Sequence, residues 1–336
     1  MARTLWSDFG GVWKTVREVD VSAVRREAER RVAVVCVGDR RAIGHIHRLL
    51  HEGPDRYPGQ TSALVSVPLD MVGQSTSTIA SADLLIVALD INVVLSEAEA
   101  AGLQSLGPVD RPSQILVVFG EPHQPLPPWA ARMEDRVSAL LDPQGAGAPE
   151  HLGAAVLRAL PAKLHLAAAR RLPGLRPLVA RRLTTEVSLS NATVAVASGL
   201  PSAFVALGLP IAAADTVILT KNQALMVYRL ALAHGAPPDF QRRMMEITPV
   251  VGGAVVWRQV AGGLVGLIPG YGVLPKTAVA YAGTYITGRA AELWYQRGVV
   301  GKDDLKRITA EATAKAKAAA GQIMARARKR RRRISQ

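Results

Sequence analysis

Gly38-Asp39-Arg40-Arg41-Ala42-Ile43-Gly44-His45-Ile46 is the stretch of this chain whose residue types approach phosphate chemistry. It follows the apolar run VAVVCV (32–37), so it reads as a strand, a glycine turn and a helix opening, the place of a phosphate-binding loop. Such a loop, G-x-x-x-x-G-K-[ST], turns backbone N–H groups toward a β-phosphate. Its lysine bridges the β- and γ-phosphates and its hydroxyl holds magnesium. Here Gly38 and Gly44 are separated by five residues instead of four, His45 takes the lysine position and Ile46 the hydroxyl position. A histidine is mostly neutral near pH 7 and too short to clasp two phosphates, and isoleucine cannot ligate magnesium. Arg40 and Arg41 bring positive charge into the stretch, but charge alone does not place a metal.

Further fragments follow in order: Asp70-Met71-Val72-Gly73, the run DLLIVALD (83–90), Val137-Ser138-Ala139 and HLGAAVLRALP (151–161). On these residues the N-terminal part resembles a translation-factor-type small GTPase domain. The resemblance implies that Asp70 and Gly73 meet magnesium and γ-phosphate, that Ser138 and Ala139 line the base pocket, and that 151–161 is the closing helix. The base-reading motif N-K-x-D belongs after ILVV (115–118), where the chain has FGEP (119–122) and no aspartate to read guanine. The expectation is a vestigial nucleotide site, Gly38, Arg40, Arg41, Gly44, His45, Asp70, Gly73, Ser138 and Ala139, with no catalytic residue and no cofactor. The alternative is GTP with magnesium on an atypical loop.

The elements that position these residues are legible from hydrophobic pattern. VAVVCV, ALVSV (63–67), DLLIVAL (83–89) and ILVVF (115–119) are strand-length and apolar on both faces, as in a parallel sheet covered by helices. Helical patterns at Ala42–His51 and Leu95–Leu106 lie between them, which predicts a doubly wound, mainly parallel α/β domain of P-loop-NTPase type over 31–162. Residues 3–30 read as an amphipathic helix, since Leu5, Phe9, Val12, Val16 and Val19 recur at three- and four-residue steps. The arginine-rich stretch 163–185, with two prolines, reads as a basic linker.

From 186 to 300 the character changes to apolar and helical. Residues 187–214 carry no charged side chain, a length that would span a hydrocarbon core, but Gly199, Pro201, Gly208 and Pro210 interrupt them. A second apolar region, Ile247 to Gly288, is punctured by Arg258 and Lys276. A buried bundle and membrane-embedded hairpins both fit. Asn222, Gln223 and Arg229 ride on one helical pattern and read as facing a polar rim or satisfying helix ends; Asp215, Lys221 and Arg229 would be costly in lipid unless paired, so they are the alternative candidates for a buried polar network. The Ile268-Pro269-Gly270 turn and the alanine-rich helix with Tyr281, Tyr285, Gly288 and Arg289 make residues 185–300 similar to the YcjF-like family of GTPase-associated helical domains. That resemblance implies the cytoplasmic membrane or its surface; the family brings no established activity.

Net charge is +14, and residues 302–336 hold twelve Lys/Arg against three Asp/Glu. They read as a helix with Asp303 or Asp304 as N-cap, ending in Arg326, Ala327, Arg328, Lys329, Arg330, Arg331, Arg332 and Arg333. Such a tail fits anionic membrane lipid or nucleic acid, and no stacking surface or nucleic-acid motif accompanies it. One cysteine, Cys36, excludes an internal disulfide and suits a reducing compartment, and MARTLWSDFGG lacks the basic-then-apolar pattern expected of a signal peptide. His45, His47 and His51 lack a carboxylate set for metal, and no nucleophile elbow or dinucleotide fingerprint occurs. The expectation is a non-catalytic bacterial scaffold or regulator at the cytoplasmic side of the membrane, whose pseudo-GTPase domain binds a protein partner. Self-association remains open, as do a GTP-binding protein and, third, a nucleic-acid-associated protein.

Overall fold

The computed structural model describes residues 19–106, 113–121, 124, 137–197, 213–251 and 273–334, with backbone alone for 137–140, 196–197, 213–217, 248–251, 273–276 and 323–334. These residues fall into two compact units. One takes in Arg26–Val179 with Ala233–Gly235; the other takes in the described residues before 26, of 180–232 and beyond 235.

The first unit is α/β. Its strands are β1 (Val34–Gly38), β2 (Leu64–Pro68), β3 (Leu84–Asp90), β4 (Gln114–Phe119) and β5 (Val137–Leu141), in the order β2-β1-β3-β4-β5. Every ladder is parallel, with Val34 opposite both Leu64 and Leu84, and Leu85 opposite Gln114. β1 and β3 are buried along their whole length because both neighbours and both faces are covered, hence their unbroken aliphatic sequences. Val35, Val37, Leu85, Val87 and Val118 form a core with Val67, Leu69 and Ile79.

Helices α1 (Ser22–Glu29), α2 (Arg40–His51), α3 (Thr76–Ala80), α4 (Glu97–Ser105), α5 (Ala148–Ala159) and α6 (His165–Arg171) belong here wholly or in part. The predicted strands therefore stand, shifted by a residue or two, and one was not foreseen: 137–139, expected to line a base pocket, is the start of β5. Of the expected helix over 3–30 the described residues hold Ser22–Glu29, preceded by a non-helical 19–21, with the Ser22 N–H taken by Asp20 Oδ1 at 2.8 Å; residues 1–18 lie outside the described part.

The stretch 163–185 corrects the linker expectation. Within it α6 is almost wholly buried, Leu172 and Leu175 are fully buried, and α7 (Arg176–Ala197) follows without a flexible gap. Its arginines misled because two of them, Arg170 and Arg176, are themselves buried. Arg176 donates to the carbonyls of Pro54 (2.9 Å), Ala169 (3.2 Å) and Arg170 (3.4 Å) and to Asp55 Oδ1 at 3.0 Å. A cation so supplied with acceptors closes a core instead of exposing a linker.

The second unit is helical. Besides most of α7 it holds α8 (Ala213–Ala233) up to Leu232, α9 (Phe240–Val251), α10 (Val273–Arg297) and α11 (Lys302–Ile334). Tyr281, Tyr285, Ile286 and Leu293 of α10 pack on Ile308, Ala312, Ala316 and Ala319 of α11, spaced at helical steps. Asp303 and Asp304 lie inside the first turn of α11 and are not its N-cap. Asp304 Oδ2 reaches back to the Gly301 N–H at 3.3 Å while Oδ1 pairs with Arg307 at 2.9 Å, so the acids still serve the helix start. Among the described residues no single helix is long and apolar enough to cross a membrane. The proline- and glycine-rich parts of both apolar regions, 198–212 and 252–272 with the Ile268–Gly270 turn, lie outside the described residues.

Candidate functional site

In doubly wound sheets, ligands bind beyond the carboxyl ends of strands where strand order reverses, here between β1 and β3. One residue, Asp39, separates β1 from α2. There is no loop between Gly38 and Gly44: the helix begins at Arg40, and Gly44 sits on its exposed side, where an added Cβ would meet nothing within 4 Å. Gly38 is needed for another reason, since a Cβ there would lie 2.0 Å from the Ala88 carbonyl oxygen. The glycine serves the close approach of β1 to β3.

Asp39 caps α2 at this end of the sheet. Its Oδ1 accepts from the N–H groups of Arg41 (3.0 Å) and Ala42 (2.9 Å), and Oδ2 accepts from the Asp90 N–H at 2.7 Å. A buried carboxylate thus neutralises the positive end of α2 and bridges the ends of β1 and β3. Any anion entering here would face this charge and find two of the helix N-terminal amides already bonded.

Around Asp39 the side chains are arranged in ion pairs at the surface. Arg40 Nη2 lies 3.8 Å from Asp70 Oδ2, and Arg41 Nε lies 3.6 Å from Asp90 Oδ2. Both guanidinium groups are well exposed, so each pair contributes no more than about 1 kcal/mol. Asp90 Oδ1 also accepts from the Asn92 N–H (2.9 Å), and Asn92 Oδ1 takes Gln124 Nε2 at 2.8 Å. His45 packs its ring on Phe119, centroids 5.0 Å apart. Burial first, then Arg48 and Arg41, hold its imidazole below the usual histidine range, so at neutral pH it is uncharged and no substitute for lysine.

Asp70 and Gly73 lie in successive single turns of 3₁₀ helix after β2. Asp70 comes to this edge through Arg40. Gly73 instead borders a cavity of about 160 Å³ lined by Val72, Thr76, Ile79, Leu85, Ser105 and Leu106, which is apolar and suits no phosphate. Of the FGEP segment, Phe119 is buried and ends β4, and the Gly120 N–H bonds the Leu141 carbonyl at 2.9 Å. Ser138 and Ala139 are placed as backbone of β5, beside β4; their side chains lie outside the described residues. The sheet edge thus gathers Arg40, Arg41, His45 and Asp70, and leaves Gly44 and Gly73 apart.

The helical unit holds a polar cluster, but not of the expected residues. Asn191 of α7 donates through Nδ2 to Thr284 Oγ1 (2.9 Å) and accepts at Oδ1 from Asn222 Nδ2 (2.8 Å). Gln223 Nε2 donates to the same Thr284 hydroxyl at 3.1 Å, which in turn donates to the Ala280 carbonyl at 2.8 Å. Three helices are joined by neutral amides and one hydroxyl. Asn222 and Gln223, expected at a polar rim, are its members; none of these bonds involves Lys221 or Arg229, and the Asp215 side chain lies outside the described residues. Asn191 and Thr284 are fully buried and were missed. The signal was present as Thr184, Ser188 and Asn191, which share one helix face and are all buried.

A second contact joins α10 to α11. Tyr285 Oη donates to Glu311 Oε1 at 2.6 Å, and Lys315 lies 3.2 Å from that carboxylate and 4.9 Å above the Tyr285 ring. Beyond it the backbone of α11 stays helical through Arg326–Arg333 to Ile334; the side chains of that segment lie outside the described residues. Cys36 is fully buried in β1, and burial pushes its thiol far above the ordinary range, so it is inert. Among the described residues no three His, Cys, Asp or Glu side chains gather as a metal-binding group. Compared with protein-family models, curated proteins and solved structures, the chain finds no match in any of the three.

Proposed function

We propose that the chain is a non-catalytic scaffold or regulator that binds an anionic membrane surface through its basic C-terminal helix, with a GTPase-like α/β unit serving as a platform for a protein partner. The observation that carries the non-catalytic part is Asp39. A carboxylate caps α2 at the point where a phosphate loop would present its amides, and α2 starts one residue after β1. The strand order, flavodoxin-like in its 2-1-3-4-5 sequence, agrees with a P-loop-type ancestry as well as with other doubly wound folds.

The lipid part rests on charge. Seven of the eight residues Arg326–Arg333 are basic, each worth about 1 kcal/mol beside anionic head groups. The test uses the full chain and a variant with Arg326, Arg328, Lys329 and Arg330–Arg333 changed to glutamine. Full-length protein sediments with phosphatidylserine vesicles at low salt, less at high salt, and not with neutral vesicles; the variant stays in solution. GTP with magnesium leaves the melting temperature unchanged. A nucleotide-dependent rise in melting temperature would favour a GTP-binding protein instead, and a tail-dependent shift of DNA or RNA in place of vesicle binding would favour a nucleic-acid partner.

A further inference from the structure

We propose that His234 is an acid-sensitive plug: it holds residues 233–235 in the α/β unit while its ring is neutral and releases them when the ring takes up a proton. His234 is 1% exposed, and neither Nδ1 nor Nε2 has a hydrogen-bond partner. It stands at the end of α8, where the Ala236 N–H turns back to the Ala231 carbonyl at 3.0 Å and Gly235 adopts φ +86°. That left-handed glycine closes the helix in the Schellman manner. It also lets the chain pass tightly, since a Cβ at Gly235 would lie 3.0 Å from the Tyr57 carbonyl oxygen and 3.6 Å from Arg176 Nη2.

The charged groups around the ring favour only its neutral form. Arg176 acts on it with a like charge, and the one carboxylate of this cluster, Asp55, is already bonded to Arg176. An imidazolium here would hold two N–H donors without acceptors in a buried site next to a guanidinium, a strongly unfavourable state. The helix C-terminus favours a cation, but by too little to offset burial. Burial first, then Arg176, bring the pKa down from 6.5 to about 3. The sign follows: a histidine depressed in the closed state binds its proton in the open state first. Closure is at full strength above pH 6.5 and is lost progressively as pH falls toward about 3. A phenylalanine or leucine would fill the same buried site without this response.

The experiment is hydrogen–deuterium exchange of the full-length protein between pH 7.5 and 5.0, corrected for intrinsic exchange, following peptides over 230–237 and 52–60. From pH 7.5 to 5.5 the opening constant of these peptides rises about tenfold, from linkage between a released and a buried ring. The rise disappears in His234→Phe and His234→Leu. A flat wild-type profile, or an equal slope in both variants, overturns the proposal. If neither variant folds, the wild-type pattern decides: a loss confined to the two peptides, with β1 and β3 still protected, supports it, and a uniform loss or none overturns it.

Discussion

The two units solve the problem of buried polar groups in opposite ways. In the α/β unit the solution is ionic and uses main chain: Asp39 is held by three backbone N–H groups, and Arg176 by three backbone carbonyls with Asp55. In the helical unit it uses side chains: Asn191, Asn222, Gln223 and Thr284 bond one another, and the buried Arg243 and Glu292 pair with Glu246 and Arg289. The difference has a simple origin. Strand ends and helix ends expose unsatisfied backbone groups, and a sheet edge or a cluster of short helices brings several such ends together. Mid-helix N–H groups are already satisfied, so the amide oxygens between long helices must find side-chain donors, while a hydroxyl can still use a carbonyl's second lone pair, as Thr284 does at Ala280. Main-chain partners therefore serve where chain ends converge, and side-chain partners where helices lie side by side.

The largest test of this contrast is Arg176→Met. Removing the cation strands three carbonyls and Asp55, and about 3–5 kcal/mol of unfolding free energy should go, measured by urea denaturation. A loss below about 1 kcal/mol would mean that the carbonyls are solvated and the ionic picture is wrong. Asn191→Leu should be milder, about 2 kcal/mol, because two neutral partners lose one bond each. In a double-mutant cycle with Thr284→Val the losses should be strongly non-additive; simple additivity would show that the cluster is not a network.

Asp39→Ala should lower stability by about 1–2 kcal/mol, as for other N-caps, without producing GTP binding. Nucleotide binding gained by this variant would turn the cap into a gate and contradict the non-catalytic reading. The smallest change has the opposite sign: Gly44→Ala, on an open helix surface, should stabilise by about 1 kcal/mol and raise the melting temperature. Destabilisation there would revive a special backbone role for Gly44.

Much of the α/β unit was legible because aliphatic strands buried on both faces leave an unmistakable pattern, and β1 to β4 fall within a residue or two of the expected positions. β5 was not, because Val137-Ser138-Ala139 is short and its flanks carry no strand signal. In the candidate site the pairing of residue types misled most. Gly38 and Gly44 looked like two ends of a loop, yet Asp39-Arg40-Arg41 is also a good helix start, and an aspartate that caps a helix removes any loop. Spacing along the chain could not separate these readings; the carboxylate bonds to Arg41 and Ala42 do.

The sequence by itself determined an α/β half, a helical apolar half and a basic end, since each follows from local pattern and composition. Only the tertiary structure decided that Arg170 and Arg176 are core residues, that Asn222 and Gln223 face Asn191 and Thr284, and that His234 is sealed without a hydrogen-bond partner. Those facts depend on partners far apart in the chain, as Asn191 and Thr284 are, and polar residues carry no mark of the neighbours they will meet. Around Asp39 the phosphate-like pattern belongs to the sequence. What occupies the place of the phosphate is fixed by three backbone N–H groups that only folding brings to one carboxylate.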